Sequence, residues 1–439
     1  MDKQRLHLPA ITRRQFLHTS ARAAAGLAAG WSWLATGQAP AYAQKRTLTA
    51  LALSLFVPPG DERFREIMQE FGKEAGVETR FDTIQVVQIP PKLAAEAAAQ
   101  EGHDIVDMWE AYPSLHKRNL EPLNDILEPL DAKFKYFQGP KETFYQDGTW
   151  IAAPWYWLSF PQNVNQRHWD AAKLSIPTTW EELLQAGKKL KRRGHPIGMA
   201  ISHATDANAS WWAVLWCFGG KVFEADSKTV ALKSPETEAF LDFAVRLYKE
   251  AMTSEVLTWD DAGNNRFILS GKGSWTINPI SIWFVANRDK MPVAKDLRHY
   301  PSLSGPAGHY NSTFNHCLGI WKFAKNKELA KEFLTYFFSE EKYPSWLAAA
   351  QGFCMSPFEA FINHPVWTKG DPALRLLPKE GPFIRSQGWP GKPTAYVAAF
   401  NSEYILPDMI AKVIHGAKPK DAIDWAAKRT ERIVKETKI

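Results

Sequence analysis

The stretch "RTLTALALSLFVPPGDERFREIMQEFGKEAGVETRFDTI", Arg46 to Ile84, decides the fold. Its opening part, Arg46 to Phe56, is a near-continuous apolar run of the kind a strand covered on both faces shows. Phe64, Ile67, Met68 and Phe71 then recur at helical spacing and stop near Gly76. Val77–Ile84 alternates like a strand, Pro90–Gly102 reads as a helix with proline at its start, and Asp104–Trp109 is again an apolar strand. This β-α-β-α-β order predicts an α/β fold with a mainly parallel sheet and helices on both faces. In open sheets of this kind ligands sit beyond the C-terminal ends of the strands. The loops Val57–Asp61 and Trp109–Pro113 are therefore candidate walls of a site, bringing in Asp61, Trp109 and Glu110.

The alternation returns further on. Thr178 with Glu181 reads as a capping box ahead of an apolar face of Trp180, Leu183, Leu184 and Leu190, with Gly194 as the stop. His195–Ile201 follows as a strand, Ser234 and Pro235 open another helix, and Gly271–Asn278 reads as a strand entering a loop. Beyond about residue 320 the pattern is mostly helical. The 439 residues exceed what one core organises, yet no Pro/Ser-rich linker divides them. Two lobes sharing interwoven chain are expected.

Of the net charge of +6, four units come from residues 1–43, where five basic residues stand against Asp2. "TRRQFLH" (Thr12–His18), a mildly apolar Ala23–Ala35 and "AYA" (Ala41–Ala43) read as a twin-arginine export signal cleaved after Ala43. The apolar part falls well short of the roughly 18–20 residues a membrane span needs. A soluble periplasmic protein is expected. The near-neutral remainder offers no basic stripe for nucleic acid. Cys217, Cys317 and Cys354 are odd in number and far apart, against a disulfide framework or a CxxC metal site.

No nucleophile elbow, zinc-protease, phosphate-loop or dinucleotide motif occurs, and no cofactor or metal pattern stands out. Paired carboxylates for glycoside hydrolysis remain an enzymatic alternative, with Asp107, Glu110 and Glu403 as candidates. The 19 tryptophans say more. A pyranose has a C–H face that packs on flat side chains and an equator of hydroxyls that seeks carboxylates and amides. "DGTWIAAPWYWLSFPQNVN" (Asp147–Asn165) supplies both kinds of group. So do "DMWEAY" (Asp107–Tyr112), "NASWWAVLW" (Asn208–Trp216, with Trp211 and Trp212), "SWTINPISIWF" (Ser274–Phe284) and "TFNHC" (Thr313–Cys317, with Asn315 and His316). A betaine or polyamine is the non-sugar alternative, since cations also attract aromatic rings.

In order along nearly the whole chain, "FREIMQEFGKEAG", "GHDIVDMWEAY", "LEPLNDIL", "DGTWIAAPWYW", "IPTTWEELLQAGKKL", "GKGSWTIN" and "HCLGIWKFAKNKELAKEFLTYFFSEE" resemble the extracellular solute-binding proteins of ABC importers. The resemblance is to the carbohydrate-binding family that includes the maltose-binding proteins, and "NKELAKEFL" (Asn326–Leu334) is its most specific part. It implies a two-lobed periplasmic binding protein fold of type II, each lobe a mainly parallel sheet flanked by helices. Lobe one would hold 44–156 and 315–352, lobe two 157–314 and 353–439, with crossings near Pro154–Phe160, Tyr310–Cys317 and Gln351–Pro357. It also implies a monomer that does no bond chemistry, closes on a carbohydrate and delivers it to a permease in the inner membrane. Positions matching the family's contacts are Trp109, Tyr112, Trp155 and Trp157, with Tyr156 as neighbour. Trp275, Asn278 and Trp283 flank Ile280, which stands where the family often has an aromatic, and Trp389 or Tyr396 would close the cleft.

Overall fold

The apolar run after Arg46 becomes the strand Thr47–Leu53, with Leu48 and Ala50 through Leu53 buried. The computed structural model describes residues 46–437; the expected export signal at 1–43 lies outside them. The strand pairs in parallel with Glu78–Ile84 on one side and Ile105–Trp109 on the other. Asn315–Ile320 and Ala153–Trp157 complete a five-stranded sheet, Asn315–Ile320 running antiparallel to both neighbours.

The helix Pro59–Ala75 covers one face of this sheet because its apolar positions repeat every three or four residues, and Gly76, at φ 67°, ends it in the left-handed conformation that glycine adopts without strain. Phe64 packs edge-on against Trp155, Phe333 and Phe337 at ring-centroid distances of 5.4, 5.6 and 5.0 Å. Trp155 stacks on Trp346 at 4.9 Å, and the Trp346 indole N–H donates to Gly60 O at 3.1 Å. Asp104 ties the start of the sheet to the helix Lys327–Phe337: its carboxylate accepts from Thr49 N and Oγ1, both at 2.9 Å, and from Asn326 N at 3.0 Å.

The second sheet corrects the expectation of two mainly parallel sheets. Trp275–Ile277, Gln162–Asn165 and Leu297–Tyr300 form it, and both outer strands run antiparallel to the central one. The cause is topological: the central strand arrives from the first sheet and starts at the edge between the lobes, whereas its neighbours end there. The strand expected over His195–Ile201 contracts to a bridge of Ile197 with Met252 and with Trp275. The helix Trp180–Arg192 is capped one residue later than the spacing suggested. Thr179 Oγ1 accepts from Glu182 N at 3.2 Å, while Glu182 Oε2 takes both Thr178 N (2.7 Å) and Thr179 N (3.3 Å). Both registers satisfy the Thr-x-x-Glu spacing, and only the later one gives Glu182 two backbone donors.

Residues 158–161 carry the chain from the first sheet to the second, and residues 301–314 bring it back. The two passages lie side by side. Leu158 N donates to Phe314 O at 3.2 Å, and Thr313 Oγ1 donates to Leu158 O at 2.6 Å. A third segment joins them, since Trp157 and Met355 exchange backbone hydrogen bonds of 2.9 Å. The chain then stays against the first lobe, where Phe358 stacks on Tyr136 at 4.3 Å. Among the described residues no helix is long and apolar enough to cross a membrane.

Trp155 is 1 % exposed and enclosed by Phe64, Trp346 and Phe337. Trp155→Ala is expected to lower the unfolding free energy by about 3–5 kcal/mol in urea denaturation. A loss smaller than about 1 kcal/mol would show that the ring is not part of this core.

Candidate functional site

The strands Thr47–Leu53 and Ile105–Trp109 end, and Asn315–Ile320 begins, at one edge of the first sheet. A cleft with an empty volume of about 500 Å³ opens at that edge, bounded on the far side by the second lobe. Its position follows the rule that open sheets bind ligands at the C-terminal ends of parallel strands.

The first lobe presents rings. Trp109, Tyr156 and His316 face the cleft with Phe56 and Phe353, and Phe314 adds a ring from the returning passage. Trp109 meets His316 at 5.6 Å and Tyr112 edge-on at 5.1 Å. Tyr156 and His316 stack at 4.2 Å with their planes 11° apart. Behind them Asp107, fully buried, holds the wall in place: His316 Nδ1 and Trp155 Nε1 donate to its Oδ1 at 3.1 and 3.2 Å, and Leu53 N to its Oδ2 at 3.4 Å.

The second lobe presents oxygens and amides: Thr205, Asp206, Asp261, Asn265, Asn278 and Ser281. Asp206 and Asp261 lie against each other, Asp206 N donating to Asp261 Oδ1 at 3.2 Å. Asn264 Nδ2 donates to Asp206 Oδ2 (2.8 Å) and to Asn278 Oδ1 (2.7 Å). Asn278 Nδ2 in turn serves Asn265 Oδ1, Ser281 Oγ and Pro279 O at 3.1, 3.0 and 2.8 Å. Asp206 opens partly to the cleft but is crowded by protein around it, and this desolvation, followed by the charge of Asp261, pushes its pKa up to about 8. Burial also raises the pKa of Asp261.

A smaller pocket adjoins the first and shares Trp109, Thr205 and Phe314 with it. Tyr112, Asn208, Gln387, Asn401 and Tyr404 close it. Here Gln387 Nε2 and Asn208 Oδ1 are buried without a hydrogen-bond partner among the described residues. A polar chain links this chamber to the first sheet. Gln387 N donates to Glu110 Oε2 at 3.2 Å, Asn401 Nδ2 donates to Gln387 Oε1, and Trp212 Nε1 donates to Asn401 Oδ1 at 2.9 Å.

Of the residues singled out in the sequence, Trp109, Tyr156, Asn278 and His316 come together in the main cleft and Tyr112 in the adjoining chamber. The others do not line it, and each has a structural task. Trp155 is core. The indole N–H groups of Trp157, Trp211, Trp212 and Trp275 are taken by Ser356 O, Ala200 O, Asn401 Oδ1 and Gln162 Oε1 at 2.8–2.9 Å. Trp283 and Trp389 pack, half-buried, against the core, Trp389 lying 5.0 Å from Tyr310. Asp61 accepts from Leu55 N at 2.9 Å and so shapes the loop that carries Phe56, and Asn315 donates to Glu110. The carboxylates imagined as a catalytic pair are dispersed: Asp107 is behind His316, Glu110 is buried under Asn315, and Glu403 pairs with Arg429. Of the acid and amide wall only Asn278 is anticipated in the sequence, although "DDAGNN" (Asp260–Asn265) crowds two carboxylates and two amides around one glycine.

The family model described as bacterial extracellular solute-binding protein matches residues 58–344. No curated protein sequence matches the chain. Similar solved structures include a sugar transporter from Arthrobacter chlorophenolicus with bound laminaribiose, at 16 % identity and a TM-score of 0.78, covering 90 % of this chain and 100 % of that one. Maltose-bound MalE3 of T. maritima aligns at 19 % identity and a TM-score of 0.76, covering 88 % of this chain and 99 % of that one. A solute-binding protein of Thermotoga lettingae bound with α-D-tagatose aligns at 19 % and 0.76, covering 89 % and 100 %. At these identities the likeness is one of fold.

Complete burial lifts Glu110 to about 8, against the pull of its donors Asn315 and Gln387, and burial lifts Asp61 to about 7. The folded protein therefore keeps protons that the unfolded chain releases near pH 4. The stability these groups contribute is complete below that pH and is lost as pH rises through 7 and 8, at up to about 1.4 kcal/mol per pH unit for each group. Glu110→Gln is expected to flatten this decline relative to wild type when melting temperatures are compared from pH 5 to 9. Parallel profiles for the two proteins would contradict it.

Proposed function

The chain belongs to the bacterial extracellular solute-binding protein family, and from that premise we propose that it binds a carbohydrate in the cleft between its lobes and hands it to an ABC permease. The observation that carries this reading is the opposition of the two walls: rings on one lobe, hydrogen-bonding oxygens and amides on the other. A sugar's C–H face suits the first and its hydroxyls suit the second. The relatives whose structures hold laminaribiose, maltose or tagatose support the same solute class.

Binding works by closure. With the lobes apart, Trp109 and Tyr156 belong to one face and Asp206, Asn278 and Ser281 to the other; only the closed state lets one solute touch both. The bonded passages at Leu158 and Phe314 are the hinge about which the lobes rotate. We assign residues 46–156 with 315–361 to one lobe and 157–314 with 362–437 to the other, extending the first lobe past residue 352 because of the packing of Met355 and Phe358. We further infer export through the twin-arginine route, from Arg13 and Arg14, and work in the periplasm as a type II binding protein.

Tryptophan emission and thermal unfolding, followed across a panel of mono- and disaccharides, amino acids, glycine betaine and putrescine, test the reading. At least one carbohydrate is expected to shift both signals, with no release of product from an aryl glycoside. Trp109→Ala is expected to weaken that carbohydrate at least tenfold, about 1.4 kcal/mol. A response to betaine or putrescine with none to any sugar would contradict the assignment.

A further inference from the structure

Neither chamber of the cleft has a lysine or arginine in its lining. Asp206 and Asp261 nevertheless stand together on its wall, and neither has an ion-pair partner among the described residues. The neighbouring amides do not balance them. Both spend their N–H groups within the wall: Asn264 donates to Asp206 and to the Asn278 oxygen, and Asn278 donates to Asn265, Ser281 and the Pro279 carbonyl. What this wall turns toward a solute is mainly carboxyl oxygen, and the proton that burial keeps on Asp206 near neutral pH leaves to solvent when a cation takes its place. An independent feature of the adjoining chamber has the same sign: the oxygen of Asn208, 4 % exposed and on the same helix as Asp206, is buried with nothing donating to it. Among the described residues Gln387 Nε2 is a buried donor without a partner at the same chamber.

We propose that the solute is a carbohydrate bearing a protonated amine, held in preference to the corresponding neutral sugar and to acidic sugars; this rests on the carbohydrate reading above. An ammonium brings three N–H donors to the paired carboxyl oxygens and a positive charge to a wall whose lining has none. The opposing face of Trp109 and Tyr156 favours a cation in addition to a sugar ring. An acidic sugar would set its carboxylate among Asp206 and Asp261 with no cation to receive it. A quaternary ammonium such as betaine fits poorly for two reasons, having no N–H to donate and a carboxylate of its own. Gln387 serves a hydroxyl elsewhere on the solute.

The test is a fluorescence titration near pH 7 with matched sugars: glucosamine, glucose and glucuronate; galactosamine, galactose and galacturonate; chitosan disaccharide and cellobiose. In whichever series binds, the amine is expected to bind at least about tenfold more tightly than the neutral member, with the uronate weakest. Asp206→Asn, and separately Asp261→Asn, is expected to bring the amine-to-neutral ratio below about threefold, with thermal unfolding reporting that each variant is folded. A neutral or acidic sugar that binds as tightly as its amine overturns the proposal while leaving the carbohydrate reading intact. A ratio unchanged in both variants overturns it equally. Silence from every sugar overturns both readings.

Discussion

Glu110 follows directly on the strand Ile105–Trp109 that forms the floor of the cleft, and its carboxyl group takes N–H groups from both other segments that meet there. Asn315 N and Nδ2 donate to Oε1 at 2.7 and 2.9 Å, and Gln387 N donates to Oε2. The residue is held at φ 47°, a conformation that costs a non-glycine residue about 1 kcal/mol and persists only when its surroundings impose it. Here they do. The start of the returning strand, the close of the adjoining chamber and, through Asn401 and Trp212, the second-lobe helix Thr205–Cys217 are all tied to that one carboxyl group. Removing it would leave the buried backbone N–H groups of Asn315 and Gln387 unpaired where the lobes meet, with Asn315 Nδ2 keeping Ser386 Oγ.

Much else follows from the chain passing between sheets at this edge. A strand that arrives from the other lobe must begin at the cleft, so Asn315–Ile320 lies reversed in the first sheet and Gln162–Asn165 reversed against its neighbours in the second. Each sheet therefore delivers strand ends to the same gap. Trp109 and His316, neighbours across the first sheet, become one face; Asn278, just beyond Trp275–Ile277, belongs to the other. The two faces differ in what closure does for them. Rings gain by losing water, whereas carboxyls and amides must exchange water for solute hydroxyls or donors, and that demand is what makes the cleft selective.

The first lobe was legible because local signals agree with tertiary ones: a doubly covered strand, a helix with one apolar face, and a glycine at its end. Helix Trp180–Arg192 was legible to within one residue, the ambiguity being the two equivalent Thr-x-x-Glu registers. Strand direction in the second lobe was not, since no local pattern states where a strand comes from. Tryptophan was the least readable residue. Trp155 and Tyr156 are adjacent and their rings meet at 4.8 Å where the strand pairing slips by a residue, yet Trp155 stacks on Trp346 in the core while Tyr156 reaches the cleft. Asp206 and Asp261 meet only after folding, 55 residues apart, so their pairing had no expression in the sequence.

The central claim is that one solute engages both walls at once. Hydrogen–deuterium exchange, compared with and without a saturating bound carbohydrate, measures it directly. Simultaneous protection is expected in peptides spanning Trp109–Tyr112 and in peptides spanning Trp259–Asn265, with the hinge residues 158–161 changing as well. Protection confined to one of the two walls, with the other exchanging as in the free protein, would contradict the account.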